Sequence, residues 1–293
     1  MSDNDQLDRN QPLDKQLDSV DKSLENAEKA LIDELSKGKG KKYVRFVMAA
    51  LGSIPWIGSY LSILGSIGGL DVEFDQEKLN SMQKLWLEEH RQKLNELGRT
   101  LDEIFTRLDG FGEEVQRRIE SEEYLTLVKS VFRSWDQSET QEKRIMFKKL
   151  ITNTGASSLC TDDLVRLFIK WINQYHESHF LVIREIYKEP GITRFDIWNR
   201  LYDSQPRDDS AEADLYRYLI RDLSTGGVIR QERKTNEYGE FIKKQSLHRR
   251  KSSMSRTMES AFEKTKPYEL TELGKQFVHY VLEDVVKRIE TSE

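Results

Sequence analysis

The chain has one cysteine, five prolines and sixteen glycines in 293 residues. A lone Cys160 forms no internal disulfide, so a reducing compartment is expected. So few Pro and Gly exclude collagen-like and low-complexity architectures, and they leave room for long helices. Only 37% of residues are hydrophobic and 33% are charged, which excludes a multi-span membrane protein. With 51 Asp+Glu against 46 Lys+Arg, the net charge is −5, and a uniformly cationic nucleic-acid coat is excluded. Residues 1–35 are acidic and have no apolar stretch, so no secretory leader is expected.

Long segments with apolar residues at three- and four-residue spacing predict a mostly α fold. The expected architecture is a helical bundle with an apolar helical hairpin, followed by a C-terminal winged-helix domain with a small β wing. Residues 1–12 read as a disordered tail and 13–36 as an acidic amphipathic helix, its seam formed by Leu17, Val20, Leu24, Ala27 and Leu31. Residues 43–70 read as the hairpin, 71–176 as the bundle and 178–293 as the winged-helix domain, with a flexible basic insertion at 243–260.

The hairpin is the most unusual stretch. Lys37, Lys39, Lys41, Lys42 and Arg45 precede residues 46–70, which carry no charge over 25 positions. A continuous helix of that length would measure about 37 Å, enough to cross a bilayer core of about 30 Å. Pro55 opposes one straight span, because it lacks the helical N–H and clashes with the preceding turn. Gly52-Ser53-Ile54-Pro55 therefore predicts a turn between two short helices, near 43–51 and 55–68. In the second, Gly58, Ser62, Gly65 and Gly69 form a stripe of small residues, while Trp56 and Tyr60 lie on the opposite face. Such a stripe admits close backbone approach in lipid or in a soluble core. Pro55, Trp56, Gly58, Tyr60, Ser62, Gly65 and Gly69 are thus the candidate residues for membrane engagement or close packing, with anionic lipid as one expected partner.

Downstream, Leu94, Leu97, Leu101, Ile104, Leu108 and Phe111 repeat as a heptad seam, which would also serve a homo-oligomer. One helix is predicted over 113–135 and another after a capping box at Ser138-Glu-Thr-Gln141. A third is predicted from Thr161, with Leu164, Phe168, Trp171, Ile172 and Tyr175 inward.

Residues 178–188 read as a helix ended by Pro190-Gly191. Thr193 caps a short helix, and 211–224 form a third with Leu215, Leu219, Ile220 and Leu223 in the core. A strand follows Gly226-Gly227, with Phe241-Ile242 as its expected partner, and a last helix runs to about residue 289. This order is that of a winged helix. The segments Tyr268-Glu-Leu270-Thr271-Glu-Leu273-Gly274 and Leu219-Ile220-Arg-Asp-Leu223 resemble the wing-to-helix junction and the turn-helix element of bacterial winged-helix proteins.

Enzyme signatures are weak. No glycine-rich piece has phosphate-loop spacing. His176-Glu-Ser-His179 has a spacing that suits a metal, but no third ligand is evident, so no metal and no cofactor are expected. No catalytic residue is nameable.

Binding signatures are stronger. Residues 228–266 carry eleven Lys/Arg against five Glu, and 241–258 contain no acid. Arg217, Arg221, Arg230, Lys243, Lys244, Arg249, Arg250 and Lys251 are the candidate contacts to an anionic partner, either double-stranded DNA or lipid headgroups.

The hairpin around Ser53-Ile54-Pro55-Trp56-Ile57-Gly58, then Phe147-Lys-Lys-Leu150-Ile151 and His179-Phe-Leu-Val-Ile183, resemble a broad group of bacterial helical proteins with a C-terminal winged helix. Some of these are similar to abortive-infection, anti-phage components of the alpha type. The resemblance implies a non-enzymatic cytoplasmic defence effector, peripheral to the inner membrane on activation, with another defence-system protein as partner. Two alternatives stand beside it: a winged-helix DNA-binding regulator or adaptor, and an oligomeric helical scaffold.

Overall fold

The computed structural model describes residues 41–59, 76–157, 159–233, 236–238, 242 and 259–282. The fold is mostly α with one small three-stranded sheet. It divides into two compact units, with the boundary between Asn173 and Gln174. The expectations for residues 1–36 and for the far half of the hairpin fall outside the described residues.

The first unit begins with a 3-10 turn, Lys41–Tyr43, that feeds α1 (Val44–Leu51). A turn at Gly52–Ile54 follows, and residues 55–59 are helical again, so Pro55 sits where its missing N–H costs nothing. Then come α2 (Gln76–Leu108), α3 (Glu113–Ile119), α4 (Glu122–Asp136), α5 (Gln141–Ala156) and α6 (Asp162–Gln174).

The single helix expected over 113–135 is two. Ser121 breaks it, because its hydroxyl accepts from the Tyr124 amide at 3.3 Å and starts α4 afresh. Likewise the cap of α5 is Thr140, which accepts from the Lys143 amide, while Ser138 instead donates to the Ser134 carbonyl at 2.7 Å. On α6, Val165 is buried and Leu164 is only half-buried.

α1 packs chiefly on α4, and α5 on α2 and α4. Phe46 is at the centre of this core. Its ring meets Phe105 and Phe132 edge-on, with centroids at 5.3 and 6.0 Å, while Tyr43 stacks on Phe105 at 4.1 Å. Tyr43 also donates its hydroxyl to Asp109 at 2.7 Å, beside the Lys42 ammonium at 2.9 Å. The Tyr124 hydroxyl donates to the Ile151 carbonyl at 2.9 Å, and burial pushes its ionisation well above the usual phenol range. A Cβ on Gly155 would lie 2.8 Å from that oxygen, which is why α5 continues through a glycine there. Of the heptad positions, Leu97, Leu101, Ile104 and Leu108 are buried within this unit, and Leu94 and Phe111 are half-buried.

The second unit runs α7 (Glu177–Lys188), β1 (Ile192–Thr193), α8 (Arg194–Leu201), α9 (Ala211–Thr225), β2 (Ile229–Gln231), β3 (Pro267–Leu270) and α10 (Glu272–Val281). The sheet order is β1-β3-β2, antiparallel throughout, with Ile192 opposite Tyr268 and Arg230 opposite Glu269. Among the described residues the strand paired with β2 is 267–270; of the expected partner Phe241-Ile242, Ile242 lies in no strand and is 54% exposed, and Phe241 lies outside the described residues. β3 suits this place because Tyr268 and Leu270 alternate inward and supply core.

On α9 the inward stripe is Ala213, Tyr216, Leu219, Ile220 and Leu223. Leu215, expected in the core, is 55% exposed, one residue off that stripe and about 100° round the helix. Gly227 has φ +78°, and the Val228 amide returns to the Leu223 carbonyl at 3.0 Å. α10 then crosses so close that a Cβ on Gly274 would lie 2.1 Å from the Val228 carbonyl oxygen.

Candidate nucleic-acid interface

The second unit carries an open cleft of about 400 Å3 lined by Arg194, Asp214, Arg217, Arg221 and Glu259. It exists because two helix starts and the end of the β2–β3 connection meet there. Thr193 caps α8, accepting from the Asp196 amide, and this sets Arg194 as the first helical residue. The Tyr216 hydroxyl of α9 donates to the Arg194 carbonyl at 2.7 Å and ties the two helices together. Asp208, just before α9, accepts from the Ser260 hydroxyl at 3.0 Å and the Ala261 amide at 2.9 Å, which fixes the returning chain. Phe262 then stacks on Tyr216, centroids 5.9 Å apart, and meets Trp198 edge-on at 5.0 Å.

The three guanidinium groups differ in how they are held. Arg194 donates from Nε and Nη2 to the Tyr268 hydroxyl, at 3.0 and 2.6 Å, and its Nη1 is 3.5 Å from a Glu259 carboxylate oxygen. Arg217 donates to Asp214 at 2.8 Å and to the Asp208 carboxylate at 3.0 Å. Arg221 is exposed and makes no hydrogen bond or ion pair among the described residues. Glu259 is also paired with Lys266. Among the described lining residues, three guanidinium groups against Asp214 and Glu259 leave one positive charge, which suits a monoanion that offers several acceptor oxygens.

Of the expected anion contacts, the structure thus brings Arg217 and Arg221 together. Arg230 sits apart on β2, its Nε donating to Glu269 on β3 at 2.7 Å. Lys243, Lys244, Arg249, Arg250 and Lys251 lie outside the described residues. Arg194, Asp214 and Glu259 were missed by sequence reasoning. Arg194 is 23 positions from Arg217, and only the packing of α8 beside α9 joins them.

The His176 and His179 pair has a local explanation. The His176 amide donates to His179 Nδ1 at 3.1 Å, so the second ring caps the start of α7. Its Nε2 faces Asp222 Oδ2 at 3.3 Å, and Tyr175 stacks on it at 5.0 Å. Burial lowers its pKa from the ordinary 6.5, against the opposing pull of Asp222. Among the described residues, no group of three or more His, Cys, Asp or Glu is placed to hold a metal ion.

The hairpin's near limb belongs to the first unit's core: Phe46, Val47, Ala50, Leu51, Ile54 and Ile57 are buried. Pro55 is exposed, and Trp56 donates its indole N–H to Asp136 at 2.7 Å while stacking on His90 at 4.9 Å. Among the described residues, a Cβ on Gly58 would meet nothing within 4 Å. Tyr60, Ser62, Gly65 and Gly69 lie outside the described residues. Among the described residues, no helix is long and apolar enough to cross a membrane.

No protein-family model, curated protein or solved structure matches the chain.

Proposed function

We propose that the second unit is a winged-helix domain and that the protein is a non-enzymatic regulator or adaptor that binds double-stranded DNA. The fold part rests on element order: helix, strand, helix, helix, strand, long insertion, strand, helix, with the β1-β3-β2 sheet. The observation that carries the function is the insertion itself. Residues 232–266 hold ten Lys/Arg against five Glu, and their return is anchored by Asp208 beside the cleft lined by Arg194, Arg217 and Arg221.

The electrostatics favour phosphate contacts over base reading. Charged residues of α9 are Glu212, Asp214, Arg217, Arg221 and Asp222, a net of −1, and Arg217 is already committed to two carboxylates. Binding is therefore carried by the insertion along the backbone, with strong salt dependence and low sequence selectivity.

A membrane-engaging defence effector ranks second. Moving the near limb into lipid would strip Phe46, Val47, Leu51, Ile54 and Ile57 from their core, at about 1.5–3 kcal/mol each before lipid contacts offset it.

The test is fluorescence anisotropy with a labelled duplex at low and moderate salt. Binding should weaken steeply with salt. Changing Arg249, Arg250 and Lys251 to Ala should lower the log–log salt slope by about 0.9 per lost phosphate contact, so by up to about 3. Absence of duplex binding at low salt would refute the proposal.

A further inference from the structure

We infer that the cleft between Arg194, Arg217 and Arg221 takes one backbone phosphodiester, and that Glu259 occupies it as an internal phosphate surrogate until nucleic acid displaces it. This rests on the duplex-binding reading and names the phosphate site within it.

Three observations carry the inference. First, among the described residues the lining is charged throughout and includes no aromatic platform for a nucleobase. What it does offer is guanidinium donors, whose planar forks match a phosphate's oxygens. Second, one guanidinium is set in advance and another is left unpaired among the described residues. Arg194 is clamped by two bonds to the Tyr268 hydroxyl and lies with its guanidinium 5.3 Å from that ring's centroid, which leaves Nη1 directed at Glu259. Arg221 stands on the same lining and is the cation that no described carboxylate has neutralised.

Third, Glu259 is held loosely where a phosphate would be held well. Its Oε1 stands 3.5 Å from Arg194 Nη1, too long for a good charge-assisted hydrogen bond, while its other oxygen pairs with Lys266. Its neighbours Ser260 and Ala261 are pinned by Asp208, so the carboxylate can swing away while the chain that carries it stays fixed. Exchange of Glu259 for phosphate frees a surface carboxylate to water and places on the lining an anion whose two non-bridging oxygens can serve Arg194 and Arg221 together. No covalent bond changes. The acid also raises the threshold for binding, so that stray anions do not fill the cleft.

The experiment measures duplex affinity and salt slope for the full chain and two single variants, Arg221→Gln and Glu259→Gln. Arg221 is exposed and Glu259 is partly exposed, and unchanged melting temperatures confirm that both variants fold. Arg221→Gln should weaken binding about tenfold and reduce the slope by about 0.9. Glu259→Gln should strengthen binding several-fold, because the competing charge is gone while the side-chain shape remains. A purely structural Glu259 would give weaker binding or none of this gain, and that result overturns the inference. If the native chain binds duplex and both variants match it, the cleft is not the phosphate site although the duplex reading survives. If the native chain binds no duplex at low salt, both fail. Phosphatidylglycerol vesicles form a parallel arm: Arg221-dependent binding to vesicles, without duplex binding, would assign the cleft to lipid and overturn the inference as stated.

Discussion

Replacing Phe46 with Ala tests whether the uncharged stretch is structural core. Phe46 is 2% exposed and contacts three rings, Phe105, Phe132 and Tyr124. Truncating a buried Phe costs about 3–5 kcal/mol through lost transfer energy and the cavity left behind. Two edge-on aromatic pairs, each worth about 0.5–1.5 kcal/mol beyond burial, put this site at the upper end, near 4–5 kcal/mol. Two positions on, Met48 is 46% exposed, and its replacement by Ala should stay within about 0.5 kcal/mol. Urea unfolding of the full chain, followed by far-ultraviolet circular dichroism, reads the difference. With a slope of about 2 kcal/mol per molar urea, Phe46→Ala should move the first unit's midpoint down by about 2 M. Should that variant be too unstable to purify, Phe46→Leu gives a measurable loss of about 1–1.5 kcal/mol. If Phe46→Ala and Met48→Ala shift the midpoint equally, the limb is not core and the argument for its burial collapses.

Glycines give a second contrast. Gly274→Ala drives a Cβ to 2.1 Å from the Val228 carbonyl, where no side chain can yield, and should cost about 3 kcal/mol or more; Gly58→Ala, in open space, should be neutral or slightly stabilising in thermal melts. Equal shifts for the two would contradict the packing of α10. His179 sets a pH dependence. It is buried with a lowered pKa among His176, Tyr175, Asp222 and Tyr218, so the unfolded chain binds its proton first as pH falls through 6.5. The contribution from keeping the ring neutral is complete above 6.5 and is lost below it, by at most about 1.4 kcal/mol per pH unit. Urea midpoints at pH 7.5 and 5.5 should diverge more for the native chain than for His179→Gln; identical divergence would remove the assignment.

The local features could be read from the residues because short-range chemistry decides them. Thr193 caps α8, Pro190-Gly191 ends α7, and Gly52–Pro55 turns between two helices, each through groups within four positions of one another. The mostly helical class followed from apolar spacing, which is a property of a segment alone. Errors arose where two local signals competed. Ser121 and Thr140 took the caps, each hydroxyl accepting from the amide three residues on, while the Ser138 hydroxyl bonds the Ser134 carbonyl one turn back.

Only the tertiary structure decided what lies far apart in the chain. Strand β2 chose a partner more than thirty positions away, because pairing there buries Tyr268 and Leu270. Arg194 joined Arg217 and Arg221 through the packing of two helices, and Glu259 arrived from the far end of a basic insertion. Charge content marked residues 228–266 as cation-rich, with eleven Lys/Arg against five Glu. The Arg217–Asp214 pair is three positions apart on one helix and legible in the sequence, but the neutralisation of Arg217 by Asp208 and of Arg230 by Glu269 depends on distances of about 3 Å that sequence spacing does not give. The same holds for the hairpin: twenty-five uncharged residues suit lipid and core alike, and Phe46 is core because Phe105 and Phe132 surround it.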